Sequence, residues 1–308
     1  MQPRVAVIIP VRNGRAHMQR LLPALRAQDL QPAQWLVVDS ESSDGSPELW
    51  RGFGARVLAI PASQFNHGGT RQWAAEQVDA DVLVYLTQDA VPVPPDALRR
   101  LVEGLLADPR NGVAYGRQLP HPGADLLAAH GRQFNYPPRS RTKRMEDAGE
   151  LGIKTCFSSD AFAAYRRSAL QEVGGFPRDV IGSEDAHVAG RMLLAGYQVA
   201  YVAEAQAWHS HDYRVLEEMR RYFDIGVFYS RERWIARSFG SAGGEGLRFV
   251  RSELAALAAA GRRRRAGEVL VRTAAKLAGY RLGHLERWLP ASIKRRVSMF
   301  PGYWKGSQ

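Results

Sequence analysis

Residues 5–39, VAVIIPVRNGRAHMQRLLPALRAQDLQPAQWLVVD, decide the fold. Residues 5–10 form an unbroken run of apolar and β-branched side chains, which is typical of a strand buried on both faces. Residues 15–28 follow with leucines at helical spacing, and residues 35–39 form a second apolar run. Strand, helix and strand in this order predict a unit of an α/β fold with parallel strands.

The same alternation continues beyond this unit. The pattern predicts strands at residues 56–60, 82–86, 156–165 and 197–202, and helices at residues 47–53, 69–78, 94–106, 167–173 and 184–195. We therefore expect an open, Rossmann-like and mostly parallel sheet with flanking helices. Ligands bind such sheets at the carboxyl ends of the strands. Here those ends carry residues 10–13, 39–44 and 87–89, which we expect to line one crevice.

Composition limits the class of protein. The chain has 308 residues, 45% hydrophobic and 24% charged, which is ordinary for a globular protein with a buried core. The net charge of +11 suits an anionic partner, such as a nucleic acid, an acidic membrane face or a phosphorylated substrate. The single cysteine, Cys156, excludes an internal disulfide and fits a reducing compartment. The N-terminal apolar run is too short for a signal peptide, so we expect a cytoplasmic protein with at most peripheral membrane contact.

The second half of the chain is less regular. Residues 120–155 are polar and rich in proline and arginine, so they form either a mobile loop over a site or a surface insertion. After His211 the composition becomes helical and basic, with helices predicted at residues 215–235, 246–260 and 268–288. We place a domain boundary between a sheet domain, residues 1–212, and a basic helical region, residues 213–308.

Two acids stand where predicted strands end. Asp39 either belongs to the following turn or accepts a hydrogen bond from a ring N–H, as in uracil or thymine. Asp89, taken alone, is best explained as a turn residue; beside a diphosphate it would need Mg²⁺ or Mn²⁺ between the two anions. Asp44 and Ser46 are expected to be structural, at the start of the next helix.

A third acidic position opens a predicted helix. Glu184 and Asp185 fit the structural role of acids at a helix N-terminus, where they complement the helix dipole. One of them can also project into the crevice and take a proton from an attacking hydroxyl as general base. The residues alone fit both the structural role and the role of general base.

Five stretches then occur in one order: IIPVRNG, VVDSESSDGS, the acid that ends the fourth strand, SEDAHVAGRMLLAGY and WHSH. Together they resemble the family-2 glycosyltransferases with the GT-A fold, which transfer a sugar from a nucleotide diphosphate with inversion. The resemblance covers residues 4–215. The stretches FNHGGTRQWA, LTQDAVP and WHSHDY are further similar to a bacterial rhamnosyltransferase branch, whose donor is dTDP-L-rhamnose and whose products are cell-surface polysaccharides.

The resemblance implies roles for individual residues. It places these residues at the sugar-nucleotide donor: Pro10, Arg12, Asn13, Asp39, Ser42, His67, Arg71, Gln88 and Asp89. Asp39 is expected to bond the pyrimidine ring, and Arg71 to lie near the base or diphosphate. Asp185 matches the catalytic base, and Glu184 matches a companion that orients the loop.

The implied metal site departs from the family pattern. Asp89 matches the metal-facing acid of an Asp-x-Asp motif, but Thr87 replaces the first acid. The departure either weakens the binding of Mg²⁺ or Mn²⁺ or alters contacts to the sugar. His209 is expected to complete the metal site or touch the diphosphate, with His211 a lesser candidate.

The partner implied beside the donor is a glycan or a polyprenyl-linked glycan acceptor. The basic C-terminal helices are either a solvated face or a surface that rests on anionic lipid at the inner face of the membrane. The alternatives are a related transferase using a UDP-sugar, a protein that binds the sugar nucleotide without turnover, and a nucleic-acid-binding protein. The sequence contains no nucleic-acid-binding motif, so we expect no nucleic-acid partner.

Overall fold

A computed structural model describes residues 3–240 and 244–305. Its strands are β1 (Val5–Val11), β2 (Gln34–Asp39), β3 (Arg56–Ala59), β4 (Val82–Leu86), β5 (Val91–Pro92), β6 (Asn111–Leu119), β7 (Arg141–Lys143), β8 (Phe162–Arg166) and β9 (Gln198–Trp208). Its helices are α1 (Arg15–Arg26), α2 (Ser46–Phe53), α3 (His67–Glu76), α4 (Ala97–Leu106), α5 (Leu126–Asn135), α6 (Ala148–Leu151), α7 (Arg167–Glu172), α8 (Glu184–Leu194), α9 (Val215–Arg231), α10 (Arg233–Phe239), α11 (Glu245–Ala259), α12 (Ala266–His284) and α13 (Ala291–Val297). The ends of the two predicted domains, at residues 1–2 and 306–308, and residues 241–243 lie outside the described part.

All nine strands belong to one sheet, in the order β3-β2-β1-β4-β8-β6-β9-β5, with β7 paired to β9. The strands β3, β2, β1 and β4 are parallel, as predicted. Strand β8 runs antiparallel to both its neighbours, β4 and β6, so the second half of the sheet is mixed. An α/β sheet with flanking helices and a helical C-terminal region is confirmed.

The sheet is buried on both faces. On β1, Val7, Ile8 and Ile9 are fully buried, although successive side chains point to opposite faces. One face packs against α1 and α4, and the other against α3, α7 and α8. The unbroken apolar run of β1 is therefore required by burial on both sides.

Of the two alternatives for residues 120–155, a loop or a surface insertion, the loop is wrong, because the segment contains helices and a short strand. Helix α5 begins at Asp125, whose carboxylate accepts a hydrogen bond from the Leu127 amide at 3.0 Å. Leu127 packs against Leu257 of α11 and Val269 of α12. The short apolar run in α5 is therefore explained by a contact with helices more than a hundred residues away.

Two other boundaries and one strand differ from the sequence pattern. Residues 152–156 form a short 3-10 helix, so β8 starts at Phe162. The predicted helix 215–235 ends at Arg231, and α10 starts anew after Glu232. Strand β6 was not predicted, because Gly112 and Gly116 interrupt its apolar pattern. Among the described residues, no helix combines the length and the apolar character needed to cross a membrane.

Helices α9 and α12 approach each other closely through glycines. A Cβ atom on Gly279 would lie 2.1 Å from the carbonyl oxygen of Met219, and one on Gly283 would lie 2.2 Å from that of Phe223. Gly226 faces the carbonyl oxygen of Tyr280 in the same way, at 2.2 Å. The C-terminal helices are therefore fixed by backbone contacts that any larger side chain would separate.

We expect Gly279→Ala to lower the free energy of unfolding by about 1–3 kcal/mol, since the added methyl group must push α9 and α12 apart. Gly267 is the matched control on the same helix, because a Cβ there meets no atom within 4 Å. Gly267→Ala should instead stabilise the protein by about 0.5–1 kcal/mol through helix propensity. Denaturant unfolding measures both, and equal effects of the two substitutions would contradict the packing described.

Candidate active site

A crevice of about 480 Å³ opens at the carboxyl ends of the parallel strands. Six of the residues expected at the donor line it: Pro10, Arg12, His67, Arg71, Gln88 and Asp89. Residues 299–303 form part of its wall, with Phe300 packed edge-on against His67 at 4.5 Å between ring centres. The end of the chain thus returns to the sheet, which no local sequence pattern indicated.

Asn13, Ser42 and Asp39 are not among the lining residues; they connect the loops after β1 and β2. The Asn13 amide donates to Ser42 Oγ at 2.8 Å, and the Ser42 amide donates to Asp39 Oδ2 at 3.1 Å. Asp39 Oδ1 is buried without a hydrogen-bond partner among the described residues. An unsatisfied buried acceptor is uncommon in folded proteins, and it fits a site that a donor N–H completes.

Gln88 and Asp44 hold the same loops in place. The Arg12 amide donates to Gln88 Oε1 at 2.9 Å, and Gln88 Nε2 donates to the Arg12 carbonyl at 3.1 Å. Asp44 accepts from the amides of Arg15 and Ser46 at 2.8 and 3.0 Å. The side-chain amide of Gln88 therefore ties the end of β4 to the loop after β1, and Asp44 has the structural role expected of it.

Arg71 lies in a buried ion-pair network. Its Nε is 3.1 Å from Asp160 Oδ2, and its Nη1 is 2.9 Å from Glu184 Oε1. All three side chains are almost completely excluded from solvent. Arg71 lines the crevice, but its charge is directed first at two acids of the protein. Asp160 was missed by sequence reasoning, because an aspartate in a Ser-Ser-Asp loop gives no signal of its own.

Asp185 adjoins this network at the start of α8. Its Oδ2 accepts from the Asp160 amide at 3.3 Å, and its Oδ1 accepts from the Ala186 amide at 2.7 Å. Burial, followed by the negative charge of Glu184, raises the pKa of Asp185 to about 7. Burial also acts to raise the pKa of Glu184, but the Arg71 guanidinium outweighs it and lowers that pKa.

The two neighbouring acids are thereby divided between two roles. Glu184 is the ionised partner of Arg71, and Asp185 has a pKa suited to accepting a proton near neutral pH. Asp185 also lines a second cavity, of about 290 Å³, together with Arg71, Thr87 and Tyr213. The carboxylate therefore has a raised pKa and is accessible from a cavity that adjoins the crevice at the strand ends.

We expect kcat/KM to fall as the pH drops below about 7, since only the ionised Asp185 can accept a proton. The fall should approach about tenfold per pH unit well below the pKa, and the rate should level off above it. Steady-state rates measured from pH 5 to pH 9 at saturating Mn²⁺ give the profile. A rate that stays constant down to pH 5 would contradict this role of Asp185.

Asp89, His209 and His211 form a cluster in which each residue offers one ligand atom, all within 4.8 Å of one another. The Nε2 atoms of both histidines lie 3.5 Å from Asp89 Oδ2. Burial would raise the pKa of Asp89, but His209 above all holds it well below its usual range. His211 was expected to be a lesser candidate, and the structure places it as close to Asp89 as His209.

Gln118 fixes the orientation of His209. Its Oε1 lies 2.8 Å from His209 Nδ1, and because that oxygen can only accept, Nδ1 carries the proton. In the neutral imidazole, the form that can bind a metal, the lone pair of Nε2 then faces Asp89, as in metal sites whose histidines are oriented by an outer hydrogen bond. Burial and the neighbouring His209 lower the pKa of His211 to about 4, which keeps it neutral. The cluster is thus chemically suited to a divalent cation. Thr87 stands where the family motif has its first aspartate, and the two imidazoles supply ligand atoms that this aspartate would otherwise provide.

A third cavity, of about 260 Å³, continues from this cluster towards the C-terminal helices. It shares Tyr213 and Arg221 with the cavity at Asp185 and is also lined by His211 and by Arg272 and Lys276 of α12. The three cavities therefore follow one another, with Asp185 in the middle one. Residues beyond 212 contribute to each of them.

The fold and the site fit a transferase that acts at the carboxyl ends of the strands of an α/β sheet, and the sequence places the chain in a family. The profile of glycosyl transferase family 2 matches residues 6–174, and the chain belongs to that family and is a glycosyltransferase. The expected resemblance is thereby confirmed.

Particular relatives are similar over almost the whole chain. The chain is 44% identical to the O-antigen chain rhamnosyltransferase RfbN of Salmonella typhimurium, over 99% of this chain and 97% of the relative. It is 42% identical to the O-antigen chain rhamnosyltransferase WbaN of Salmonella anatum, over the same shares. Among solved structures, the mannosyltransferase PcManGT of Pyrobaculum calidifontis, in complex with GDP-Man and Mn²⁺, has a TM-score of 0.62 at 21% identity and covers 93% of this chain and 87% of its own. That likeness supports the fold.

Proposed function

We propose that the protein transfers L-rhamnose from dTDP-L-rhamnose, with inversion, to a hydroxyl group of an O-antigen-type glycan that is free or lipid-linked. The observation that carries the proposal is the 44% identity to RfbN across 99% of the chain, because it includes the C-terminal helices as well as the sheet. We place the reaction in the cytoplasm, at the inner face of the cell membrane. The single buried thiol of Cys156 fits a reducing compartment.

The reaction proposed is a single displacement. Asp185 takes the proton of the acceptor hydroxyl, the hydroxyl oxygen bonds to the anomeric carbon, and the bond to the diphosphate breaks on the opposite face. For a β-L-rhamnosyl donor the product is an α-L-rhamnoside. Glu184 and Arg71 keep the start of α8, which carries Asp185, in place through the ion pair at 2.9 Å.

Asp89, His209 and His211 are the residues that would hold a divalent cation. Such an ion would supply positive charge that offsets the charge on the leaving diphosphate. Two imidazoles beside one carboxylate favour Mn²⁺ over Mg²⁺, which strongly prefers oxygen ligands. The donor set therefore supports Mn²⁺ as the ion.

We assign the donor to the crevice lined by Arg12 and Asp89. We assign the acceptor to the third cavity, which is lined by Arg272 and Lys276. Two features support this assignment. The donor crevice lies at the strand ends where nucleotides bind in α/β sheets. The middle cavity, which holds Asp185, adjoins both of the others.

A thermal-shift screen tests the donor. The protein is heated with dTDP-L-rhamnose, UDP-hexoses, UDP-GlcNAc and GDP-mannose, each with and without Mn²⁺. We expect the largest rise in the melting temperature with dTDP-L-rhamnose and Mn²⁺, since at equal concentration the ligand with the highest affinity for the folded state stabilises it most. A larger rise with a UDP-sugar would replace the proposed donor. Binding of a donor without any turnover would instead favour a sugar-nucleotide-binding protein.

Removal of metal ligands gives a separate prediction. Loss of a group that only orients a metal ligand weakens metal binding by about 10–100-fold. Asp89→Asn and His211→Ala remove ligands themselves, so each should weaken Mn²⁺ binding by at least this factor. Calorimetric titration of each variant with Mn²⁺ alone measures this without any turnover. His17, exposed on α1, is the control, and His17→Ala should bind Mn²⁺ like the wild type. Unchanged affinity in the Asp89 and His211 variants would show that the ion does not bind at this cluster.

A further inference from the structure

The outward face of α12 is apolar, the reverse of what a surface helix normally shows. Its exposed positions recur at spacings of three and four residues: Gly267, Leu270, Val271, Ala274, Leu277, Ala278, Arg281 and His284. Leu285 and Trp288 continue this stripe beyond the end of the helix. Leu270 is 60% exposed and Trp288 73% exposed. The large apolar side chains of this stripe are therefore open to solvent rather than packed into the core.

Three of the four Glu, Lys and Arg residues of α12 point the other way, and Arg281 is the exception. Arg272 and Lys276 contact Glu218 of α9 at 3.1 and 3.3 Å, and Arg272 also contacts Glu268 at 2.9 Å. Helix α12 thus places its ion pairs with Glu218 against α9 and leaves Leu270 and Leu277 outside. This arrangement does not serve the packing of the protein itself, so it indicates a partner on the outer face.

Arginines flank the apolar stripe at both ends. Residues 262–264 precede α12, all of them exposed arginines, and Arg281 and Arg287 stand near its C-terminal end. Residues 262–296 contain eleven Lys and Arg and only two Glu. Both glutamates, Glu268 and Glu286, are ion-paired within the protein. The segment therefore carries nine net positive charges, although Arg272 and Lys276 face α9 rather than the stripe.

We infer that the outward face of α12, from Leu270 to Trp288, rests on an anionic lipid surface, with its leucines and Trp288 inserted at the level of the headgroups. Apolar side chains bordered by arginines are the pattern of helices that lie in the membrane interface. A second copy of the chain fits the face poorly. In a symmetric contact along the stripe, each arginine cluster would meet another arginine cluster, in either orientation of the two helices.

This inference rests on the proposed function only in that a lipid-linked acceptor would give the contact a purpose. The contact would concentrate the protein on the membrane that carries such an acceptor. Its test uses no nucleotide sugar, so it succeeds or fails independently of the donor assignment.

Sedimentation with vesicles tests the inference. The full-length protein is mixed with vesicles of phosphatidylglycerol and phosphatidylethanolamine, and separately with vesicles of phosphatidylcholine alone. We expect binding to the first and little to the second, and weaker binding as salt is added. The triple variant Leu270→Gln, Leu277→Gln and Trp288→Gln should bind the anionic vesicles about tenfold or more weakly, since each substitution removes apolar surface from the interface.

Two further variants complete the experiment. Replacing residues 262–264 by glutamine should weaken binding and reduce its dependence on salt. Leu194, 52% exposed at the end of α8, is the control, and Leu194→Gln should bind like the wild type. All substituted side chains are exposed, so the thermal unfolding midpoint should not change.

The inference is overturned if the wild type does not bind anionic vesicles, or if the triple variant binds them equally well. It is also overturned if light scattering shows a wild-type dimer that the triple variant separates.

Discussion

Asp185→Asn is expected to lower the rate of transfer by about 10²–10⁴-fold, the range that a positioned general base contributes. The amide keeps the size of the carboxylate but cannot take the proton of the acceptor hydroxyl. Affinity for the donor should change little, because Asp185 lines the middle cavity and is not among the residues that line the donor crevice.

Steady-state kinetics and a donor titration separate these effects. Asp79→Asn is the matched control, since Asp79 is an exposed aspartate that pairs with Arg4. The control should keep the wild-type rate. If Asp185→Asn turns over at the wild-type rate while binding donor normally, another group must be the base.

Arg71→Met should lower the free energy of unfolding by about 3–5 kcal/mol, the loss typical of leaving a buried ion without its partner. Methionine fills much of the volume of the arginine stem but leaves Asp160 and Glu184 without their cation. The deficit should shrink at acidic pH, because protonation then removes the unpaired negative charges. Activity should fall as well, since the remaining negative charge raises the pKa of Asp185 further.

Denaturant unfolding at pH 5 and at pH 8 measures the size of the loss and its dependence on pH. Arg51→Met is the control, because Arg51 forms an exposed ion pair with Glu48 at 3.2 Å and should contribute under about 1 kcal/mol. The double variant Arg71→Met, Glu184→Gln should recover part of the loss, since it removes one of the unpaired charges. Equal effects of the two arginine substitutions would contradict the buried network.

The positions of Asp39, Asp89 and Asp185 could be predicted because each depends on a local rule. Asp39 ends a buried strand, Asp89 follows one, and Asp185 is the second residue of a helix. Parallel strands bring their carboxyl ends together, so order along the chain was enough to predict a crevice there, although of these three acids only Asp89 lines it. The resemblance then assigned the chemistry, and family membership is confirmed.

Other parts of the site depend on contacts between distant segments. Asp160 meets Arg71 only because β8 lies beside β4, antiparallel to it. Gln118 meets His209 because β6 and β9 pair, with Leu119 opposite Trp208. Phe300 reaches the crevice because the chain returns after α13. No periodicity or spacing encodes these pairings, so sequence reasoning could not find them.

The structure was also needed to show which of the residues expected at the donor bond to other groups of the protein. Gln88 was expected at the donor, and it lines the crevice, but both ends of its amide bond the backbone of Arg12. Arg71 was expected beside the base or diphosphate, and its charge is shared between Asp160 and Glu184. Hydrogen-bond partners within the protein decide which polar groups remain free for a ligand, and these partners are set by tertiary structure.

The central claim is the transfer of rhamnose from dTDP-L-rhamnose, and a product measurement tests it most directly. The protein is incubated with Mn²⁺, radiolabelled dTDP-L-rhamnose and lipid-linked oligosaccharides extracted from a bacterium with a rhamnose-containing O-antigen. The account predicts that label enters the lipid-linked fraction and that the new linkage is α. Transfer from a UDP-hexose in place of dTDP-L-rhamnose, or a β-linked rhamnoside, would contradict it.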